Sequence, residues 1–156
     1  MGKLANFAKH AAEDFFKGIY ETDLSAQELL ISVELPVAGK NSRHFFHEFA
    51  RRHGDYAIAG LAAQAIVEKD AFTDLRLVFF AVGDRSELAR AATNLVNVTI
   101  TPAVLATASA ALGEDLDPQD DQQASASMRR HLAKVLLARG ASALLGRPDL
   151  NAGGRA

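Results

Sequence analysis

The densest gathering of reactive side chains in the sequence is Phe49-Ala-Arg-Arg-His-Gly-Asp-Tyr-Ala57. Two arginines, Arg51 and Arg52, stand with His53, Asp55 and Tyr56 around Gly54. The glycine lets the chain turn sharply and brings its neighbours onto one loop. Guanidinium groups suit phosphate or carboxylate. A tyrosine ring can stack and donate a hydrogen bond. His53, with Asp55 beside it, has the chemistry of a general acid or base. The plain alternative is a charged hairpin connection with a local Asp–Arg pair, since turns are commonly polar.

The other reactive groups are scattered. His44 and His47 are three residues apart, which on a strand sends them to opposite faces and argues against a shared metal ion. No His-Glu-x-x-His, nucleophile elbow, Walker loop or Gly-x-Gly-x-x-Gly occurs. There is no cysteine, which removes disulfides, thiolate zinc, iron–sulfur ligation and cysteine nucleophiles. The acidic run from Asp115 to Asp121 lacks the ligand alternation and central glycine of a calcium loop and reads as a solvated connection. No metal site is expected.

Bulk properties narrow the class further. The chain has 156 residues, 49% hydrophobic and 23% charged, enough for one globular domain with its own core. Seventeen basic against nineteen acidic residues give a net charge of −2, without the basic face of a nucleic-acid binder. No apolar run approaches the roughly 20 residues of a membrane span. The first sixteen residues lack a signal-peptide pattern. The expectation is a cytoplasmic protein with neither a nucleic-acid nor a membrane partner.

The elements that must carry the loop can be read from periodicity. Apolar residues at helical spacing from Leu4 to Phe16 predict a short amphipathic helix over 4–16. Ser25-Ala-Gln-Glu28 reads as a turn with a capping-box pattern. Four strand segments follow, over 29–35, 43–50, 56–67 and 75–82. In the first, Leu29, Ile31, Val33 and Leu35 alternate with Leu30, Ser32 and Glu34, and Pro36 stops it. In the second, Phe45, His47 and Phe49 oppose Phe46, Glu48 and Ala50. The third is Ala-rich, and a strand is favoured over a helix by Ile58, Ile66, Val67 and the central Gly60. The fourth is apolar enough for burial on both faces, with 68–74 as the loop before it. Helices are predicted over 86–95, from Pro102 behind the cap of Thr101 to Gly113, and over 125–145, with Gly140 weakening the last and Gly146 closing it. Residues 147–156 read as a flexible tail of a single domain. The fold class is α+β. An antiparallel sheet of three to four strands packs against three C-terminal helices, with a short helix in front.

Several segments, taken in order, resemble one family. Asp14-Phe-Phe-Lys-Gly18, then Glu28-Leu-Leu-Ile-Ser-Val-Glu-Leu-Pro36, the Arg52-His-Gly-Asp-Tyr-Ala57 stretch and Ser127-Met-Arg-Arg-His-Leu132 are similar to motifs of the C-terminal domain of the flavoprotein (medium) subunit of carbon monoxide dehydrogenase and xanthine dehydrogenase. The likeness runs from about residue 14 to 146. It implies the same α+β sandwich. It also implies an accessory, flavin-capping role beside a separate flavin-binding partner or molybdenum hydroxylase subunit. The Gly-Asp-Tyr loop would lie on the flavin side, with Asp55 and Tyr56 foremost and Arg51, Arg52, His53 and Gly54 in support. FAD would then be met only in a complex, and none is expected on this chain alone, because the glycine-rich flavin half is absent. Met1 just upstream gives the expectation of a chain complete as it stands. The alternative is a stand-alone, flavin-independent enzyme of isomerase, cyclase or hydrolase type, with His53, Asp55 and Tyr56 catalytic and Arg51, Arg52 and Gly54 binding the ligand. A homodimer covering the lost interface is compatible with either.

Overall fold

In the computed structural model of the chain, residues 7–150 are described. They fall into two compact units divided between Pro36 and Val37.

The first unit is small. Helix α1 (Ala12–Phe15) runs straight into a two-strand ribbon, β1 (Phe16–Gly18) and β2 (Glu21–Thr22). Tyr20 takes a left-handed φ of 57° at the ribbon's turn. Asp23 ties the unit together, meeting His10 at 2.8 Å and Lys17 at 3.4 Å. Lys17 foremost, then His10, holds the Asp23 carboxyl below its ordinary range. At the Ser25–Glu28 turn the Glu28 carboxylate accepts from the Ser25 N–H at 2.8 Å, one half of the capping box that the sequence suggests. No helix follows it.

Two expectations fail in this unit. The N-terminal helix covers four residues rather than thirteen, and residues 4–6 lie outside those described. Residues 29–35 join no sheet, and their aliphatic side chains stand exposed. Alternation marks the two faces of a strand but carries no information about a partner for its backbone.

The second unit holds the sheet, in the order β3-β4-β5-β6, antiparallel throughout. Its strands are β3 (Ser42–Ala50), β4 (Ala57–Glu68), β5 (Ala71–Phe80) and the short β6 (Glu87–Leu88). β4 is a strand despite its alanines. Ala59, Leu61, Ala63 and Ala65 point to the buried side, and their small volume lets a helix lie close. β5 begins four residues before its expected start. Lys69 and Asp70 both take left-handed φ angles, 48° and 62°, and close a two-residue hairpin without glycine. Its burial also alternates. Phe72, Leu75, Leu77 and Phe79 face the core, while Asp74 and Arg76 face outward. The irregular register opposite Ile66 and Val67 shifts the phase at Thr73.

A 3₁₀ helix (Arg90–Leu95), α2 (Pro102–Asp115) and α3 (Ala126–Leu145) complete the unit. The expected helix over 86–95 is therefore β6 followed by tight 3₁₀ turns, anchored where the Asp115 carboxylate accepts the Ala91 N–H at 2.7 Å. α2 starts as its sequence dictates. The Thr101 hydroxyl accepts the Val104 N–H at 3.3 Å, and Pro102 occupies the first turn. It runs two residues past Gly113. The Ser125 hydroxyl caps α3, and Gly146, at φ 70°, ends it with a 2.9 Å bond from the Arg147 N–H to the Ser142 carbonyl.

α3 crosses the inner face of β3 and β4. Ala133, Leu136, Leu137, Ala141 and Leu144 are buried in one core cluster with Leu61, Phe72, Leu77 and Phe79. Burying each large side chain stabilises the fold by roughly 2 kcal/mol. Gly140 sits at the closest approach. A Cβ there would stand 3.1 Å from Leu61 Cδ2 and 3.3 Å from Phe45 Cδ1. The glycine expected to weaken α3 is thus what allows the helix to touch the sheet. Arg43 fastens the far end, donating to the Leu144 carbonyl at 2.6 Å. The architecture is α+β, with an antiparallel sheet and helices on one face.

Candidate functional site

The loop between β3 and β4 carries all six residues singled out in the sequence. Gly54 turns it at φ 80°, a conformation that side chains avoid. The Asp55 N–H closes the turn onto the Arg52 carbonyl at 3.2 Å. The Asp55 carboxylate accepts the Tyr56 N–H at 2.9 Å and lies 3.5 Å from the Arg52 guanidinium. The local Asp–Arg pair is therefore present, and on a surface it contributes little stability. Tyr56 holds its ring out, 83% exposed, and His53 is exposed as well. Asp55 is engaged by Arg52 and the Tyr56 amide. Among the described residues no hydrogen bond joins it to His53.

Arg51 points away from the tip. It donates to the carbonyls of Gln122 and Gln123 at 2.7 and 2.8 Å, pinning the loop to the connection between α2 and α3. That connection is itself organised by Asp121, whose carboxylate accepts the N–H groups of Gln123 and Ala124 at 2.8 and 2.9 Å. Its second oxygen meets Arg129 at 2.6 Å. Arg129 is buried, 6% exposed, in the first turns of α3. Its guanidinium also donates to the carbonyls of Ile58 and Ala81, at 2.6 and 2.7 Å, where β4 begins and β5 has just ended. Ala81 bends to a φ of 59° there. Arg129 Nε has no protein partner among the described residues.

Arg129 and Asp121 are the structural residues of the site that residue-type reasoning missed. Arg129 lies within Ser127-Met-Arg-Arg-His-Leu132, but its carbonyl partners leave no sign in the sequence. Asp121, in the sequence, belongs only to an acidic run with the look of a solvated loop. Its carboxyl is held down at about 2, chiefly by the Ala124 amide, then by Arg129 and the Gln123 amide. That lies below the ordinary 3.8, so ionised Asp121 favours the folded state. This contribution is complete above about pH 4 and fades as pH falls towards 2. Denaturation midpoints of the wild type and Asp121→Asn should differ clearly at pH 6 and converge near pH 2. A gap that stays constant with pH would remove ionisation from the account.

His44 and His47 point to opposite faces, His47 beside Arg139 and His44 beside Ser42. Among the described residues no group of three or more His, Cys, Asp or Glu side chains could hold a metal ion. None of their helices is long and apolar enough to cross a membrane. On the outward face of the sheet, the Phe80 ring lies over Gly60 and stacks on Phe46 at 5.6 Å.

An antiparallel sheet with helices on one side is the architecture of a known family of domains. Residues 44–144 match the family model of the CO dehydrogenase flavoprotein C-terminal domain, and the chain belongs to that family. It is 32% identical over 129 residues to the nicotine 6-hydroxylase medium subunit of Paenarthrobacter nicotinovorans, covering 82% of this chain and 45% of that one. Among solved structures, quinoline 2-oxidoreductase from Pseudomonas putida 86 matches at 37% identity and a TM-score of 0.74, over 86% of this chain and 47% of that one. Reconstituted CO dehydrogenase from Oligotropha carboxidovorans superposes with a TM-score of 0.83 at 25% identity, over 88% and 49%. The chain thus spans less than half the length of the curated relatives it matches.

Proposed function

We propose that this chain supplies the flavin-side cap of a molybdenum-hydroxylase FAD subunit, working with the flavin-binding part of that subunit. The observation that carries the reading is the hairpin tip. Asp55 and Tyr56 are presented together at one end of a domain of the CO dehydrogenase flavoprotein family. The donor set fits one part of FAD. A carboxylate can accept from a ring N–H, and an exposed phenol can stack on a flat heteroaromatic face. The tip offers no glycine-rich cradle for the diphosphate, which the flavin-binding part of the subunit would hold. When bound, the flavin supplies electron-transfer chemistry. This chain's residues position and shield it. Arg51 keeps the tip in place through Gln122 and Gln123, Arg52 orients Asp55, and Gly54 leaves open space for close approach.

The flavin-independent enzyme gains no support, because among the described residues no hydrogen bond joins His53 to Asp55. The deciding experiment is capture of the tagged full chain from its source cells, followed by visible absorption and mass spectrometry. Bound flavin should accompany it. Asp55→Ala and Tyr56→Ala should leave the assembly together but each weaken FAD retention by about tenfold, the loss expected for one hydrogen bond or stack. An assembly without flavin would sink the reading.

A further inference from the structure

One edge of the sheet in the second unit is long and open. Among the described strands, β3 pairs with β4 alone. The Val67 N–H donates to the Asn41 carbonyl at 3.2 Å, and the ladder continues in step from Ser42 opposite Ile66 to Phe49 opposite Ala59. In an antiparallel ladder each residue turns its N–H and C=O to one side, and successive residues alternate. The odd-numbered residues of β3 therefore bond to β4. His44, Phe46 and Glu48 turn theirs to the open edge, and among the described residues no strand meets them there. Natural sheets blunt an edge with lysine, proline, a bulge or brevity. At the far edge β6 has only two residues. β3 has nine, with neither lysine nor proline, and its one irregularity comes at the end, between Phe49 and Ala50. Phe46 stands 65% exposed on the outward face of this strand.

We infer that β3 is the docking edge for a second copy of this chain, joined antiparallel about a twofold axis at Phe46 into one continuous sheet. The occupant follows from the order of side chains along the strand. About that axis Phe46 lies opposite Phe46 of the second copy, and His44 lies opposite Glu48 of the second copy, twice over by symmetry. These residues share the outward face, so one aromatic pair is flanked by two histidine–carboxylate pairs. Each facing pair also exchanges both of its N–H···O bonds. Every main-chain group that the three residues turn to the edge is then satisfied in both copies. Moving the axis by one residue loses both charged pairs. At Phe45 it sets Glu48 against Ser42, and at His47 it sets Glu48 against Phe46. Antiparallel pairing calls for a strand that presents carboxylate, aromatic and imidazole in the reverse order, and a second copy of β3 supplies that order.

Sedimentation equilibrium of the full chain should show a dimer. Phe46→Pro removes the central outward N–H and leaves the β3–β4 ladder whole, and it should weaken the dimer at least about tenfold. His44→Glu sets carboxylate against carboxylate and should do likewise, while adding Glu48→Lys restores the affinity with the signs exchanged. That rescue separates a broken contact from a damaged fold. The chain has no cysteine, so one introduced thiol reports the axis. Residues facing each other as a hydrogen-bonded pair have Cα atoms about 5.5 Å apart, within the span of a disulfide. Phe46→Cys should therefore link two copies under mild oxidation, and Leu88→Cys, exposed at the far edge, should not. A wild type that stays monomeric up to roughly 0.1 mM would overturn the inference. So would a dimer indifferent to His44→Glu, or one that links through Leu88→Cys instead.

Discussion

Arg129→Met lowers the unfolding free energy by about 3 kcal/mol and the melting temperature by roughly 10 °C. Methionine roughly conserves the buried stem and removes the guanidinium. The part-buried carbonyls of Ile58 and Ala81 then lose the donor that the buried guanidinium supplied. Each unsatisfied buried carbonyl costs about 1–3 kcal/mol, which outweighs the desolvation relieved by deleting one charge. Asp121 contributes less to the loss, because it is half exposed and can turn to water. Arg129→Lys should recover only part of it. An ammonium is a single point and cannot span two carbonyls and a carboxylate in the fork geometry of arginine. Urea midpoints with unchanged slopes are the measurement. A loss below about 1 kcal/mol for Arg129→Met would mean that water satisfies those carbonyls and that the arginine is not the clamp described here.

Leu61→Ala costs about 3 kcal/mol, and the size of the effect depends on Gly140. Leu61 is fully buried, and its Cδ2 is the atom nearest to where a Cβ at position 140 would stand. Gly140→Ala alone gains up to about 1 kcal/mol of helix propensity and loses about 1–3 kcal/mol to overpacking, so a net loss of about 1 kcal/mol is expected. In the Leu61→Ala background the obstructing methyl has gone and the new Cβ fills part of the cavity. Gly140→Ala should then be neutral or stabilising, a coupling of at least about 1 kcal/mol. Strict additivity in the double-mutant cycle would show that α3 simply moves away, and that close packing at this point does not hold helix and sheet in place.

The sequence displayed its long strands through alternation that both faces of the sheet respect. Phe45, His47 and Phe49 face α3 while Phe46 and Glu48 face out, as the spacing predicts. The alanines of β4 look helical, and only the β-branched residues and Gly60 betray the strand. Two boundaries were hidden. Lys69 and Asp70 make a mirror-image turn without the glycine or asparagine that advertises one. Thr73 and Asp74 look like loop residues until the outward face of β5 is known. The Ala- and Leu-containing stretch after residue 86 has a helical period, yet a short strand and 3₁₀ turns use it equally well. The hairpin tip was legible because its chemistry resides in side chains. The clamps behind it were not, because Arg51 and Arg129 act on main-chain carbonyls 48 to 72 residues away, and every residue has one.

Those clamps make the tip and the start of α3 a single thermodynamic object. Arg51 joins the tip to Gln122 and Gln123, Asp121 lies next to Gln122, and Arg129 carries the connection to the ends of β4 and β5. Linkage is reciprocal. Whatever the tip grips lends its binding energy to the first turns of α3. Whatever frays that helix is repaid, by the same factor, as a weaker grip.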